Sequence, residues 1–165
     1  MKLSFLKLLG ILITSSIILY SCTKDKPTPA YVGTWSATVS MADSAGTIYS
    51  EREIYSFTES SFTETIQMIS AVSGQWVNYV GTKGSLSVNG SVMTFNVTDV
   101  GITSFTASNQ PTGTLIFYNE NANALDFQGY LQQIYGGQKT FNTSFTISGK
   151  FLTFSDYPDV IYAKQ

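Results

Sequence analysis

The fold of this chain is decided by the stretch Ser85-Leu86-Ser87-Val88-Asn89-Gly90-Ser91-Val92-Met93-Thr94-Phe95. Apolar and polar residues alternate on both sides of Asn89-Gly90, which is the period of a half-buried strand. Asn-Gly between two alternating runs is a strong hairpin signal, because both central residues of the turn must accept positive φ. The stretch therefore predicts two antiparallel strands joined at Asn89-Gly90.

The same pattern returns near the end of the chain, as Ser144-Phe145-Thr146-Ile147-Ser148-Gly149-Lys150-Phe151-Leu152-Thr153-Phe154. The apolar positions, the turn glycine and the closing Thr-Phe pair coincide in the two stretches. Duplication would explain this, but two hairpins that meet similar packing demands are the more economical interpretation. A second hairpin is therefore predicted at Gly149.

The rest of the chain after residue 30 consists of similar short runs between turn formers. Strands are predicted over residues 31–41, 47–57, 61–70, 76–88, 113–119, 124–135, 140–148 and 160–164. Gly81 and Gly84 within one strand suggest bulges or sharp bends. Asp99–Thr112 is predicted as an irregular rim loop that contains a short strand over Gly101–Ala107, and no capped helical stripe is visible.

These runs predict an all-β fold with eight to ten strands joined mostly by tight turns. Such spacing favours an antiparallel up-and-down β-barrel, with a β-sandwich as the alternative. The body is predicted as one domain over residues 31–165, a length that can bury a modest core without disulfides or a structural metal. A barrel of this strand number either holds one small ligand or is filled by its own side chains.

The first residues have the layout of an export signal. Lys2 and Lys7 precede an almost wholly apolar run over residues 8–20, which is shorter than a membrane-spanning helix. Residues 1–21 are therefore predicted as a signal peptide. Cys22, the only cysteine, follows directly, and residues 22–30 are predicted as a polar tether that contains two prolines.

Leu19-Tyr20-Ser21-Cys22 resembles the lipobox of bacterial lipoproteins. The resemblance implies cleavage before Cys22, lipidation of its thiol and anchoring in the cell envelope, in the outer membrane, facing the periplasm or the cell surface. Lys24-Asp25 is similar to the charged export signal of surface lipoproteins in Bacteroidota-type bacteria. The alternative is an ordinary export signal that leaves Cys22 as a free thiol.

Composition excludes several classes of function. Without Lys2 and Lys7 the chain keeps 7 basic and 11 acidic residues, so a basic surface for nucleic acid is not expected. The chain has no histidine and one cysteine. It therefore lacks the residue that most often acts as a general base, the Ser-His and Cys-His pairs of nucleophilic catalysis, and the ligands of ordinary zinc sites. We predict no catalytic residue, no cofactor and no metal, and therefore not an enzyme.

Gly33-Thr34-Trp35 on the first strand resembles the Gly-x-Trp motif of the lipocalins. In that family the tryptophan closes one end of the barrel, and a basic residue of the last strand packs over it. The resemblance implies that role for Lys164, and the closing segment is similar to small lipocalin-like lipoproteins of Bacteroidota. The chain departs from the family in having no disulfide and no helix after the last strand.

One pair of strands carries acids on a face that also carries aromatic residues. If Phe57 lies opposite Phe62, then Tyr55 lies opposite Glu64, and Glu53 and Glu51 share their face because strand faces have period two. These four residues and Trp76, which begins the next strand, are the candidate ligand-binding residues. The alternative is that the strands project beyond the core, so that the acids are hydrated.

Taken together, the sequence predicts a lipid-anchored barrel that binds a small hydrophobic or amphipathic ligand without catalysis. The acids would orient a cationic or hydroxylated ligand, since buried carboxylates need a partner or water. The alternative is an interaction module that presents its loops to an envelope protein or a glycan. An acid pair for glycoside hydrolysis has no other supporting feature in the chain.

Overall fold

The computed structural model describes residues 26–42 and 48–165, and for residues 41, 42 and 48 it describes the backbone alone. The predicted signal peptide over residues 1–21, the predicted lipidation site Cys22 and the start of the predicted tether lie outside the described residues. Within the described ranges no helix is both long and apolar enough to cross a membrane.

Nine strands and one helix make up the described part of the chain. In chain order they are β1 (Gly33–Ala42), β2 (Ile48–Phe57), β3 (Ser61–Ile69), β4 (Trp76–Asn89), β5 (Val92–Phe105), β6 (Pro111–Asn119), α1 (Ala124–Tyr135), β7 (Thr140–Ser148), β8 (Phe151–Phe154) and β9 (Tyr157–Lys164).

Eight of the strands form a closed antiparallel β-barrel, in the ring order β1-β2-β3-β4-β5-β7-β8-β9. The seam between β9 and β1 is short, with Trp35 opposite Lys164 and Ser36 opposite Ala163. The ninth strand, β6, pairs with the second half of β5, while β7 pairs with the first half. The predicted all-β antiparallel barrel is confirmed, and the sandwich is excluded by the closed ring of hydrogen-bonded strands.

Both predicted hairpins are present, with a turn geometry that differs from the expected one. Asn89 pairs with Val92, so the two central residues of the first turn are Gly90 and Ser91 rather than Asn89 and Gly90. Gly90 has φ +59°, whereas Ser91 is not among the residues with positive φ. The turn therefore needs one glycine at its first central position, as a type II′ turn does. Gly149 has the same φ and the same place between β7 and β8.

Two predicted elements were wrong. Ala124–Tyr135 is a helix, not a strand, and its buried residues Phe127 and Leu131 lie one helical turn apart. It ends at Gly136, which has the left-handed conformation that commonly closes a helix.

The second error concerns the rim loop predicted over Asp99–Thr112. The short strand predicted within it over Gly101–Ala107 is present as far as Phe105, but it is the continuation of β5. β5 continues to Phe105, and β6 begins at Pro111. A register shift places Lys83 opposite Asp99 but Gly84 opposite Val97, so β5 has one extra residue at that point. Val97 and Val100 are both fully buried although they are three residues apart. The bulge thus interrupts the strict alternation by which a strand is recognised.

The core is built mainly from aromatic and aliphatic side chains inside the barrel. Its largest members that are essentially inaccessible to solvent are Trp35, Phe62, Met93, Phe95, Val97, Val100, Phe127, Leu131, Leu152 and Tyr162. Phe127 and Leu131 bring α1 into this core, so the helix is part of the packed interior.

Candidate functional site

One end of the barrel interior is closed around Trp35. The side chain is fully buried, and its Nε1 donates a hydrogen bond to the carbonyl of Tyr31 at 2.8 Å. Lys164 Nζ lies 5.0 Å from the centroid of the indole ring, and it donates to the carbonyl of Ala30 at 3.2 Å. The contact expected between Lys164 and Trp35 is therefore present. We call this part of the barrel the closed end.

Gly33 is required beside this contact. It has φ +132°, and a Cβ atom added there would lie 2.8 Å from Lys164 Cε. Any larger residue would push the lysine stem away from the indole, and its backbone would be strained. The first strand thus needs glycine two residues before Trp35 for a local steric reason.

The predicted register between β2 and β3 is confirmed at every position named. Phe57 lies opposite Phe62, Tyr55 opposite Glu64, Glu53 opposite Ile66 and Glu51 opposite Met68. The turn holds this register because Thr58 Oγ1 accepts a hydrogen bond from the Ser61 amide at 2.9 Å, and the Thr58 amide donates to the Ser61 carbonyl at 3.0 Å. The aromatic residues and the acids therefore share one face.

That face points into the barrel. Phe57 and Phe62 belong to the core, and Glu64 on the same face is only 8% exposed. Farther from the closed end, Glu53, Tyr55 and Glu64 line an interior cavity of about 460 Å³. The alternative in which all of these acids are hydrated is wrong for Glu64, although Glu53 is only half-buried.

Four other parts of the chain complete the cavity. They are single positions on β3, β5 and β8, the end of α1 with the loop after it, the start of β7, and the β8–β9 turn with the first residue of β9. Their residues are Ile66, Phe95, Ile134, Tyr135, Gln138, Phe141, Thr143, Phe154, Asp156 and Tyr157. The Phe95 and Phe141 rings are stacked at 4.9 Å, and Tyr135 is stacked on Phe141 at 5.2 Å. The wall is therefore largely aromatic, and its carboxyl groups belong to Glu53, Glu64 and Asp156.

Three tyrosine hydroxyls orient the glutamates. Tyr55 donates a hydrogen bond to Glu64 Oε1 at 2.7 Å, and Tyr135 donates to Glu64 Oε2. The Tyr135 hydroxyl also lies 2.9 Å from Thr82 Oγ1. Tyr162 donates to Glu53 Oε2. Each carboxylate is thus held by phenol groups from other elements, which fixes its position in the cavity.

Burial changes the acidity of these groups. It raises the pKa of Glu64, and the charge of Glu53 raises it further, while hydrogen bonds from Tyr135, Tyr55 and Thr82 oppose the rise. The pKa of Glu51 is also raised, first by burial and then by the charges of Glu53 and Glu64. Burial raises the pKa of Tyr55, Tyr135 and Tyr162 well above the usual value for a phenol, so these hydroxyls remain donors.

The structure brings together three of the five candidate ligand-binding residues: Glu53, Tyr55 and Glu64. Glu51 lies on the same strand face but does not line the cavity. Trp76 does not join them, because its ring lies 4.3 Å from the guanidinium carbon of Arg52. Arg52 alternates with Glu51 and Glu53 along β2 and so faces the opposite side. Trp76 therefore belongs to the outer wall.

Sequence reasoning missed the residues that face β2 and β3 across the cavity. Tyr135 was missed because its segment was taken for a strand, although Phe127, Leu131 and Ile134 have helical spacing. Tyr162 could have been found, since it alternates with Lys164 on the last strand and therefore shares its face. Asp156 lies in the β8–β9 turn and Tyr157 is the first residue of β9, so no periodic pattern indicates the direction of either side chain.

The site has to be interpreted from its own geometry, because comparisons with known proteins found no match. No protein-family model, no curated protein and no solved structure matches this chain. The arrangement itself is an aromatic cavity with two oriented carboxylates, and such an arrangement can bind a small molecule that has an apolar part and a polar part.

Proposed function

We propose that this protein is a lipid-anchored lipoprotein of the cell envelope whose barrel binds one small amphipathic ligand without catalysis. The observation that carries the proposal is the interior cavity of about 460 Å³ with aromatic walls and a buried glutamate. Its volume falls within the range of small-molecule pockets, roughly 300–1,000 Å³. An eight-stranded barrel is just wide enough to hold one small ligand.

The construction of the barrel is consistent with this role. The closed end is filled by Trp35, Phe57 and Phe62, so packing there stabilises the fold. The cavity lies farther along the same interior, where Ile134 and Tyr135 at the end of α1 form part of its wall. Rigid strands would then hold the site while the helix covers it, which favours binding by a largely preformed pocket.

The resemblance to lipocalin-like lipoproteins supports the same proposal. The motif Gly33-Thr34-Trp35 has its tryptophan under Lys164, which is the arrangement the resemblance implies. The envelope location rests on the sequence around Cys22. Labelling cells with a palmitate analogue tests it directly: the label should be incorporated by the wild type and lost in Cys22→Ala. Equal labelling of the two proteins would remove the anchor from the proposal.

Ligand binding is tested by blocking the cavity. The fluorescence of phenylnaphthylamine, a small apolar probe, should rise when it is titrated into the full-length protein, and Ile134→Trp should reduce its affinity by about tenfold or more, because the larger side chain fills the space. Ile116→Trp is the matched control, since Ile116 on β6 is 49% exposed and does not line the cavity.

The result that contradicts the proposal is equally clear. If the probe does not bind the wild type, or if Ile134→Trp and Ile116→Trp bind it equally well, the cavity is not a ligand site. Circular dichroism of both variants separates loss of binding from loss of fold. Mass spectrometry of small molecules that copurify with the wild type, but not with Ile134→Trp, would identify the natural ligand.

A further inference from the structure

The cavity contains carboxyl groups that no cation pairs with in the part of the chain that the structure describes. Glu64 is 8% exposed, Glu53 is half-buried and Asp156, at the rim, is exposed. None of the residues that line it is a lysine or an arginine. Across residues 26–42 and 48–165, the one ion pair joins Lys139 and Glu120, neither of which lines the cavity. A buried carboxylate without a cation is unfavourable, so this is an incomplete site.

Three basic side chains of the barrel are held by aromatic rings elsewhere. Arg52 lies over Trp76 on the outer wall. Lys83 Nζ lies 3.7 Å from the centroid of the Phe117 ring, and its neighbour Thr82 faces inward to Tyr135. Lys164 covers Trp35 at the closed end. The strands therefore direct these cations away from Glu53 and Glu64.

The tyrosines do not replace a cation. Tyr55 and Tyr135 each donate one hydrogen bond to Glu64, and Tyr162 donates one to Glu53. A carboxylate has about four lone-pair positions, so each glutamate keeps acceptor capacity after these bonds. The phenols thus orient the oxygens but supply no positive charge to pair with them.

We infer that the ligand of this cavity is an organic cation, an amine with an apolar body, whose ammonium group pairs with Glu64 and Glu53. The inference rests on the proposed ligand-binding function and names the chemistry of its ligand. Charge-assisted hydrogen bonds to the two carboxylates supply specificity, and the faces of the surrounding aromatic rings attract a cation as well. The apolar body lies against Phe95, Phe141 and Phe154.

A metal ion is a poorer occupant. Within the described residues, no group of three or more carboxylate, thiol or imidazole side chains is placed to hold a metal ion. Hard cations such as Ca²⁺ take six to eight oxygen ligands, whereas these carboxylates lie among aromatic rings. An alkylammonium group needs few hydrogen-bond acceptors and gains from apolar walls, so it fits the arrangement better.

Three water-soluble molecules with the same apolar body test the inference. Phenylbutylamine carries a positive charge at neutral pH, phenylbutanol is neutral, and phenylbutyrate is negative. Isothermal titration of the full-length protein should give the amine an affinity at least about tenfold higher than that of the alcohol. Phenylbutyrate should bind more weakly than the alcohol, because like charges in a desolvated site repel each other.

The site is then assigned by substitution. Glu64→Gln should lower the affinity for phenylbutylamine by about tenfold and leave that for phenylbutanol within about twofold. Glu59→Gln is the matched control, because Glu59 is exposed in the β2–β3 turn and does not line the cavity. If Glu64→Gln does not fold, Glu53→Gln takes its place with the same expectation, since Glu53 is only half-buried.

The outcomes separate this inference from the function on which it rests. Equal binding of phenylbutylamine and phenylbutanol would overturn the cationic ligand while leaving a ligand-binding barrel. Absence of binding by all three molecules, together with no response of phenylnaphthylamine, would overturn both. A preference for the amine that survives Glu64→Gln and Glu53→Gln alike would show that its charge is recognised elsewhere, which also overturns the inference.

Discussion

At the scale of single residues, Glu64 is the position where burial and charge act against each other. It lies in a barrel interior beside Glu53, and hydroxyl groups are its hydrogen-bond donors. Burial favours the protonated form more than the hydroxyl donors favour the charged form, so the pKa of Glu64 is raised. The protonation of this one residue should therefore affect both stability and binding.

The pKa of Glu64 predicts how stability depends on pH. Because the folded state binds this proton more tightly than the unfolded state, its contribution to stability is present in full below the ordinary value of 4.5. That contribution is lost as pH rises through the raised pKa of the folded state. The free energy of unfolding of the wild type minus that of Glu64→Gln should therefore fall as the pH is raised from 4.5 in urea titrations.

Glu59→Gln is again the control, because Glu59 is exposed. Its free energy of unfolding should follow that of the wild type closely over the same pH range. A difference between wild type and Glu64→Gln that grows as pH rises would mean that the pKa of Glu64 is lowered by folding, against the effect of its burial.

Part of this residue-level arrangement was available from the sequence. The alternation of β2 and β3 and a turn of even length were enough to place Glu53, Tyr55 and Glu64 on one face. The donors Tyr135 and Tyr162 come from elements 71 and 109 residues away from the glutamates they bind. No local pattern encodes such distances, so the network around the acids required the fold.

At the scale of elements, α1 is the segment that most changes the interior. It contributes Phe127 and Leu131 to the core and Tyr135 to the cavity. Its sequence indicates a helix only weakly, because Gly129 lies in the middle of the segment. In the structure the Asn123 side chain makes no capping hydrogen bond at the start of the helix. Since the intrinsic helix propensity of this segment is weak, most of the stability of α1 must come from its packing against the barrel.

Two glycines of this helix should respond in opposite directions to the same change. Gly129 has open space where a Cβ would be, so Gly129→Ala should raise the free energy of unfolding by about 0.5–1 kcal/mol. Gly136 has φ +62°, and Gly136→Ala should lower it by about 1–2 kcal/mol because alanine is strained in that conformation. Urea titration followed by circular dichroism measures both.

A lower free energy of unfolding in Gly129→Ala would contradict the prediction, because it would mean that the added methyl group meets other atoms. The matched change at Gly136 controls for any general effect of an added methyl group on stability, since Gly129 lies in the helix and Gly136 directly follows it. Equal shifts of the same sign would contradict the helix boundary at Tyr135.

The errors in predicting elements have a common physical origin. β5 was divided because the bulge opposite Lys83 and Gly84 shifts the inward positions by one residue. The strand prediction for α1 was wrong because the segment is a short run between turn formers, and the helical spacing of Phe127, Leu131 and Ile134 was not recognised. The hairpins at Gly90 and Gly149 were found because tight turns depend on a few adjacent residues, and local signals of that kind survive in the sequence.

At the scale of the whole molecule, the ring of strands is unevenly closed. The β4–β5 ladder has ten paired positions, whereas the β1–β9 seam has two. Cooperative opening starts where few hydrogen bonds hold neighbouring elements together. The seam should therefore be the first part of the barrel to separate.

Hydrogen exchange measured by mass spectrometry tests this expectation. Peptides that cover Ser36 and Ala163 should exchange their amides faster than peptides that cover Leu86 and Phe95, which lie opposite each other in the β4–β5 ladder. Comparable protection in the two regions would mean that the barrel opens as one unit. The hairpin at Gly149 provides an internal reference, because it is joined to β9 but lies outside the seam.

Whether the strands close into a barrel was the feature of the whole molecule that the sequence pattern did not decide. Alternation predicted strands and their inward faces, but a barrel and a sandwich place the same residues inside. A barrel differs from a sandwich in whether β9 pairs with β1, and that pairing consists of the two residues opposite Trp35 and Ser36. The Gly33-Thr34-Trp35 motif pointed to closure through resemblance, whereas strand periodicity did not.

The pairing of β9 with β1 also limits when the barrel can close during folding. β1 has no second neighbour until Tyr157–Lys164, more than a hundred residues farther along the chain, pairs with it. Until then Trp35 is not covered by Lys164, and the partly folded chain exposes the apolar inner face of an open sheet. Chaperones that bind unfolded chains in the compartment where this protein folds should therefore raise its yield, because closure needs a contact between distant parts of the chain.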